Sequence, residues 1–163
     1  MRRTKVIDLI RQSLVAVTEP RFYLTERGFQ GAFQTELRMH LNQNPIWQGD
    51  PIIEEEYQKR INPHGLRLRP DIIIHVPFER QNYQTRTQGN FVAFALKKNA
   101  YRSKALQDYH KLSDMIRILH YQLGVFININ SSRTYYDHFE GRFKAKLLGF
   151  AVRLEGGNII VSE

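Results

Sequence analysis

The chain has no cysteine. That excludes disulfides and thiolate-ligated metal sites. It also lacks any long apolar run. The opening stretch MRRTKVIDLIRQSLVAV starts with charge, and Asp8, Arg11 and Gln12 then interrupt it. It reads neither as a signal peptide nor as a membrane span, so the expected location is cytoplasmic, with no membrane partner. His40, His64, His75, His110, His120 and His138 are scattered without HExxH or paired spacing, which argues against a zinc centre. Gly156-Gly157 follows no strand-to-helix pattern, so there is no glycine-rich phosphate loop and no support for nucleotide-fuelled chemistry. No internal repeat or low-complexity segment is visible. Acidic residues are the scarcer charge: 16 Asp plus Glu face 24 Lys plus Arg, a formal charge of +8. Such a balance favours a polyanionic partner, nucleic acid first.

What is present suits one folded domain over residues 1–163. Hydrophobic residues make up 42% of the chain, and ten Phe with eight Tyr are enough for a core. Val6, Ile7, Leu9, Ile10, Leu14 and Val17 predict an amphipathic helix over 4–17. Thr25 is a plausible N-cap for a second helix over 26–43, with the stripe Phe29, Phe33, Leu37 and Leu41. Strand-like runs follow at about 52–61, 66–76 and 90–97, joined by Asn62-Pro63-His64-Gly65 and by a long polar loop from Glu79 to Asn90. That loop is a candidate groove-reading element. A third helix is expected over 103–121 and a fourth strand at LGVFINI. A short irregular stretch then leads to a hairpin around Glu155-Gly156-Gly157-Asn158. The order predicts an α/β fold: a mixed central sheet flanked by helices, with a C-terminal β-hairpin. The helix between the third and fourth strands is a crossover, so those two strands should be parallel.

Three chemically unusual positions fall on these elements. Alternation in RLRPDIIIHV puts Asp71 mid-strand, where a carboxylate is disfavoured. Alternation in FVAFALKKNA puts Ala95 and Lys97 on one face. Glu36 lies on the border of the second helix's apolar stripe. Pro70-Asp71, then Ala95-x-Lys97, with a helical Glu36 upstream, resembles the PD-(D/E)XK nuclease family over roughly residues 26–130. The resemblance implies a restriction-endonuclease-like core and a metal-dependent endonuclease, a hydrolase of DNA phosphodiester bonds. It implies Mg2+ as cofactor, with Mn2+ able to substitute. It gives Asp71 and the Leu96 carbonyl as metal ligands, Glu36 as holder of a metal-bound water, and Lys97 as the group that orients the attacking water.

Position 95 departs from the pattern, since the family carries an acid there. Three explanations fit: an engineered inactive form, a natural pseudonuclease, and an acid that has migrated to Glu54, Glu55 or Glu56. The intact surroundings favour the first, a chain inactivated by Ala95. The competing function is a non-catalytic nucleic-acid-binding or protein-interaction module on the same fold. Lys98, Arg102 and Lys104 form a basic start to the third helix, and Asp108 with Lys111 reads as an exposed ion pair one turn later. Arg133, Tyr135, Tyr136, Arg142 and Lys144 interleave bases with aromatics, which suits phosphate contact and base stacking. DNA is preferred to RNA as partner, and assembly stays open between a homodimer and a larger protein partner.

Overall fold

A computed structural model describes residues 3–47, 49–55, 69–78, 85 and 87–163. The helices are α1 (Arg3–Ala16), α2 (Glu26–Gln43) and α3 (Arg102–Leu119). The strands are β1 (Ile52–Glu55), β2 (Ile72–His75), β3 (Asn90–Lys98), β4 (Leu123–Ile129), β5 (Leu147–Glu155) and β6 (Asn158–Ser162). Among the described residues they form one mixed sheet, ordered β1-β2-β3-β4-β5-β6. The first three strands are antiparallel to one another, β3, β4 and β5 are parallel, and β5–β6 is antiparallel. The parallel pairing across α3 agrees with the crossover expectation.

α2 begins where its chemistry says it should. The Gly28 amide donates to the Thr25 hydroxyl at 3.0 Å, satisfying one orphan N–H of the first turn. Its apolar stripe is buried, and the Phe33 ring meets Phe94 edge-on at 5.7 Å. α1 and α2 cover one sheet face, built from Ile72, Ile74, Val92, Phe94 and Leu96. α3 belongs to the other cluster, where Tyr109, Leu112 and Met115 join Ile73, Ala93, Ala95 and Phe126. Because β3 is covered on both faces, Phe91 to Leu96 is a continuous apolar run with all six residues buried. A fully buried ring such as Phe94 contributes about 2 kcal/mol.

Two elements differ from the sequence expectation. Regular pairing of β2 starts at Ile72, so Asp71 stands at the mouth of the strand, not in its middle. Pro70 has no N–H for a ladder, and the Asp71 amide donates to the Phe94 carbonyl at 3.0 Å. α3 stops at Leu119, short of 121, because His120 turns left-handed at φ 57°. The hairpin forms as expected: Glu155 pairs with Asn158, and Gly156 and Gly157 take φ of 58° and 80°, the double positive φ of a type I′ turn. The Asn62–Gly65 turn and the outer part of the first strand lie outside the described residues, as do the start of the second strand and most of the Glu79–Asn90 loop.

Candidate active site

β3 ends where α2 and α3 begin, and this end of the sheet gathers the charged residues. The β2–β3 ladder ends at Ile72 and Phe94, and the Asp71 amide then donates to the Phe94 carbonyl, one residue out of register. Asp71 therefore lies alongside the Phe94–Leu96 stretch of β3, which contains Ala95. The Leu96 amide donates to Asp71 Oδ2 at 2.6 Å, fixing the side chain against β3. Burial pushes the Asp71 carboxyl above its ordinary value. The Leu96 hydrogen bond and the Lys97 charge pull it down, while Glu26 and Asp108 push it further up. Asp71, Ala95 and Lys97 are thus brought together. Ala95 is only 8% exposed and belongs to the same cluster as Ala93, Ala100 and Ala105.

The helical acid at this site is Glu26, not Glu36. Glu26 Oε1 lies 3.5 Å from Lys97 Nζ, and Glu26 Oε2 accepts the Lys98 amide at 3.0 Å. Gln30, one turn on, donates to the Asp71 carbonyl at 3.1 Å, which marks the level of Asp71 along α2. From there the helix runs toward β1, where Arg38 donates to the Ile53 carbonyl at 3.3 Å. Glu36 follows Glu26 by ten residues, about 15 Å along the axis. The expected placement of Glu36 is therefore corrected. Its nearness to the apolar stripe was legible, but the direction in which α2 crosses the sheet was not. Glu26, directly after the Thr25 cap, looked like an ordinary partner of the helix dipole.

A second carboxylate also differs from expectation. Asp108 is 5% exposed, not on a solvent face, and its charge acts on Asp71. Its spacing with Ala105, Tyr109 and Leu112 already pointed inward. The expected pair with Lys111 forms at 3.0 Å. Of the acids considered as migrants, Glu54 is committed elsewhere, with Oε2 2.6 Å from His75 Nε2. Glu55 is exposed, and Glu56 lies outside the described residues.

The candidate nucleic-acid contacts separate into free and committed groups. Arg102 and Lys104 are exposed on the first turn of α3, whose N-cap Tyr101 makes no side-chain capping bond. Arg133 and Arg142 are exposed, the latter with its guanidinium 5.5 Å from the Phe143 ring centre. Lys98, Tyr136 and Lys144 make hydrogen bonds within the fold. Lys98 Nζ donates to the Leu24 carbonyl at 2.6 Å. The Tyr136 hydroxyl donates to the Lys144 carbonyl at 2.9 Å, and its ring packs on Tyr109. Lys144 Nζ donates to the Asp137 carbonyl at 3.2 Å. Tyr135 is half-buried with a left-handed backbone at φ 56°, its ring 6.3 Å from His138.

Among the described residues no group of three or more His, Asp or Glu is gathered as a metal site. Asp71 feels the charges of Glu26 and Asp108, but the three are not drawn together around one point. No described helix is long and apolar enough to cross a membrane. In comparisons with known proteins the chain matches no family model, no curated protein and no solved structure.

Proposed function

We propose that the chain is a PD-(D/E)XK-type nuclease domain on a restriction-endonuclease-like core, acting on DNA with magnesium, in a form disarmed by Ala95. One observation carries this reading: the Asp71 carboxylate is held by the Leu96 amide, between Ala95 and Lys97 on β3, with Glu26 against Lys97. The order of helix, antiparallel meander, crossover helix and parallel strand agrees with that core.

The residue chemistry suits a hard cation, which takes oxygen ligands and few protein carboxylates. Asp71 would bind it directly and Glu26 through water. Pro70 has no N–H to donate to β3, and the Leu96 carbonyl would serve as a further ligand. Bound there, magnesium would supply charge compensation at the phosphate and a more acidic water. Lys97 would hold a phosphate oxygen or the attacking water. With Ala95, the second strand ligand is missing. Misplacing the water by about an ångström costs on the order of a hundredfold in rate.

The experiment is Ala95→Glu, assayed on DNA with and without magnesium. Metal-dependent cleavage is expected, weak or undetectable in the parent chain, and abolished again by adding Asp71→Ala or Lys97→Ala. A second reading, a natural non-catalytic binding module, is favoured by the packing of Ala95 in an alanine-rich cluster. It takes over if Ala95→Glu stays inert on DNA and RNA with magnesium or manganese.

A further inference from the structure

Six large apolar side chains are exposed among the described residues, and three of them border the acid–lysine end of β3: Phe22 at 41%, Leu24 at 67% and Tyr101 at 59%. Leu24 precedes Glu26 by two residues, and its carbonyl holds the Lys98 ammonium. Tyr101 follows Lys98 by three residues and opens α3. Phe22 belongs to the turn whose Tyr23 carbonyl accepts the Asn130 side chain at 3.0 Å, at the end of β4. All three therefore rim one end of the sheet. Their neighbour Tyr23 shows the contrast: it is 4% exposed and its hydroxyl donates to the Val17 carbonyl. Phe22, Leu24 and Tyr101 are turned to solvent beside it.

Exposed cations accompany them: Arg21, Arg27 and Arg102. Of the two acids in these segments, Glu19 accepts the Arg21 amide at 3.1 Å, and Glu26 is held by β3. Apolar faces bordered by guanidinium groups match a chain that offers both flat bases and phosphates. A continuous duplex keeps its base faces stacked inside, out of reach of these rings. We infer that this rim is a stacking platform for unpaired bases, so that the site receives single-stranded nucleic acid or the frayed end of a duplex. The inference rests on the nuclease reading only in setting the platform beside a cleavage site.

Binding without metal tests it separately from catalysis. The full chain is titrated against a fluorescein-labelled oligothymidylate and against a blunt duplex. The oligothymidylate should bind more tightly, and Tyr101→Ala or Phe22→Ala should weaken it about tenfold, the worth of a lost base–aromatic stack. Tyr101→Phe should bind like the parent, and duplex binding should not change. Thermal unfolding of each variant reports folding, and Tyr101→Phe keeps the ring if the alanine variant misfolds. Alanine variants that bind the oligothymidylate like the parent would overturn the inference. So would equal losses on duplex, or losses seen only on anionic phospholipid vesicles. If Ala95→Glu never cuts while ring-dependent binding persists, the nuclease reading fails and the platform stands. If Ala95→Glu cuts duplex and Tyr101→Ala changes neither cleavage nor single-strand binding, the platform fails and the nuclease reading stands.

Discussion

At the scale of the residue, Asp71 sits above its ordinary carboxylate value of 3.8, with burial as the first cause. The folded chain then holds its proton more tightly than the unfolded chain does. The stability linked to that proton is fully present below 3.8 and is lost as pH rises through the higher folded value. Asp71→Asn has no charge to desolvate and keeps an acceptor for the Leu96 amide. Its stability relative to the parent should therefore grow as pH rises from 3.8 through the raised folded value in metal-free buffer, and then level off. Magnesium should narrow the gap by stabilising only the chain that carries Asp71. Chemical denaturation across pH checks this, and an Asn variant that loses ground at neutral pH would count against the burial argument. Glu26 and Glu36 offer a second comparison. In the Ala95→Glu background, Glu26→Gln should lower cleavage about 10–100-fold, as loss of a group supporting a metal ligand does, while Glu36→Gln should have little effect. The reverse ranking would return the helical role to Glu36.

At the scale of the element, α2 joins fold to site. Thr25 caps the turn that carries Glu26, so Thr25→Ala should cost about 1 kcal/mol of stability. It should also loosen the Glu26–Lys97 contact, read as lower cleavage in the Ala95→Glu background at temperatures where the fold persists. α2 was legible to within a residue because cap, stripe and length agree. β3 and β4 were legible because burial on both faces leaves an unbroken apolar run. β2 was harder, since Pro70 and Asp71 fit the alternation of a strand that the missing amide prevents from pairing there. The site was half legible. Asp71, Ala95 and Lys97 follow from strand alternation, a local property. Glu26 and the inward turn of Asp108 depend on how helices cross the sheet, which side-chain periodicity constrains only in phase. Tyr136 and Lys144 show the same limit: a basic-aromatic composition cannot say which hydroxyl or ammonium the fold will consume.

At the scale of the whole molecule, the excess of positive charge carries a prediction of its own. With a formal charge of +8, nucleic-acid affinity should fall steeply as salt rises, because neutralised phosphates release their counterions. Binding titrations over a salt series measure the slope. Charge reversal at the exposed Arg133 and Arg142 should reduce it if that loop takes part. A flat salt response would remove the polyanion reading altogether.

Among the described residues the sheet lists its strands in the order of the sequence, β1 through β6. Space therefore repeats time during synthesis. Each of these strands leaving the ribosome finds the previous one as an open edge, and the crossover through α3 and the loop between β4 and β5 delay pairing. α1 is the exception. Upstream of every described strand, it packs on α2 and also on β6, far downstream, next to which Arg11 meets Glu163 at 2.5 Å. The apolar stripe of α1 thus waits through translation with part of its cover unmade, and during that interval the nascent chain is open to chaperone capture or to self-association.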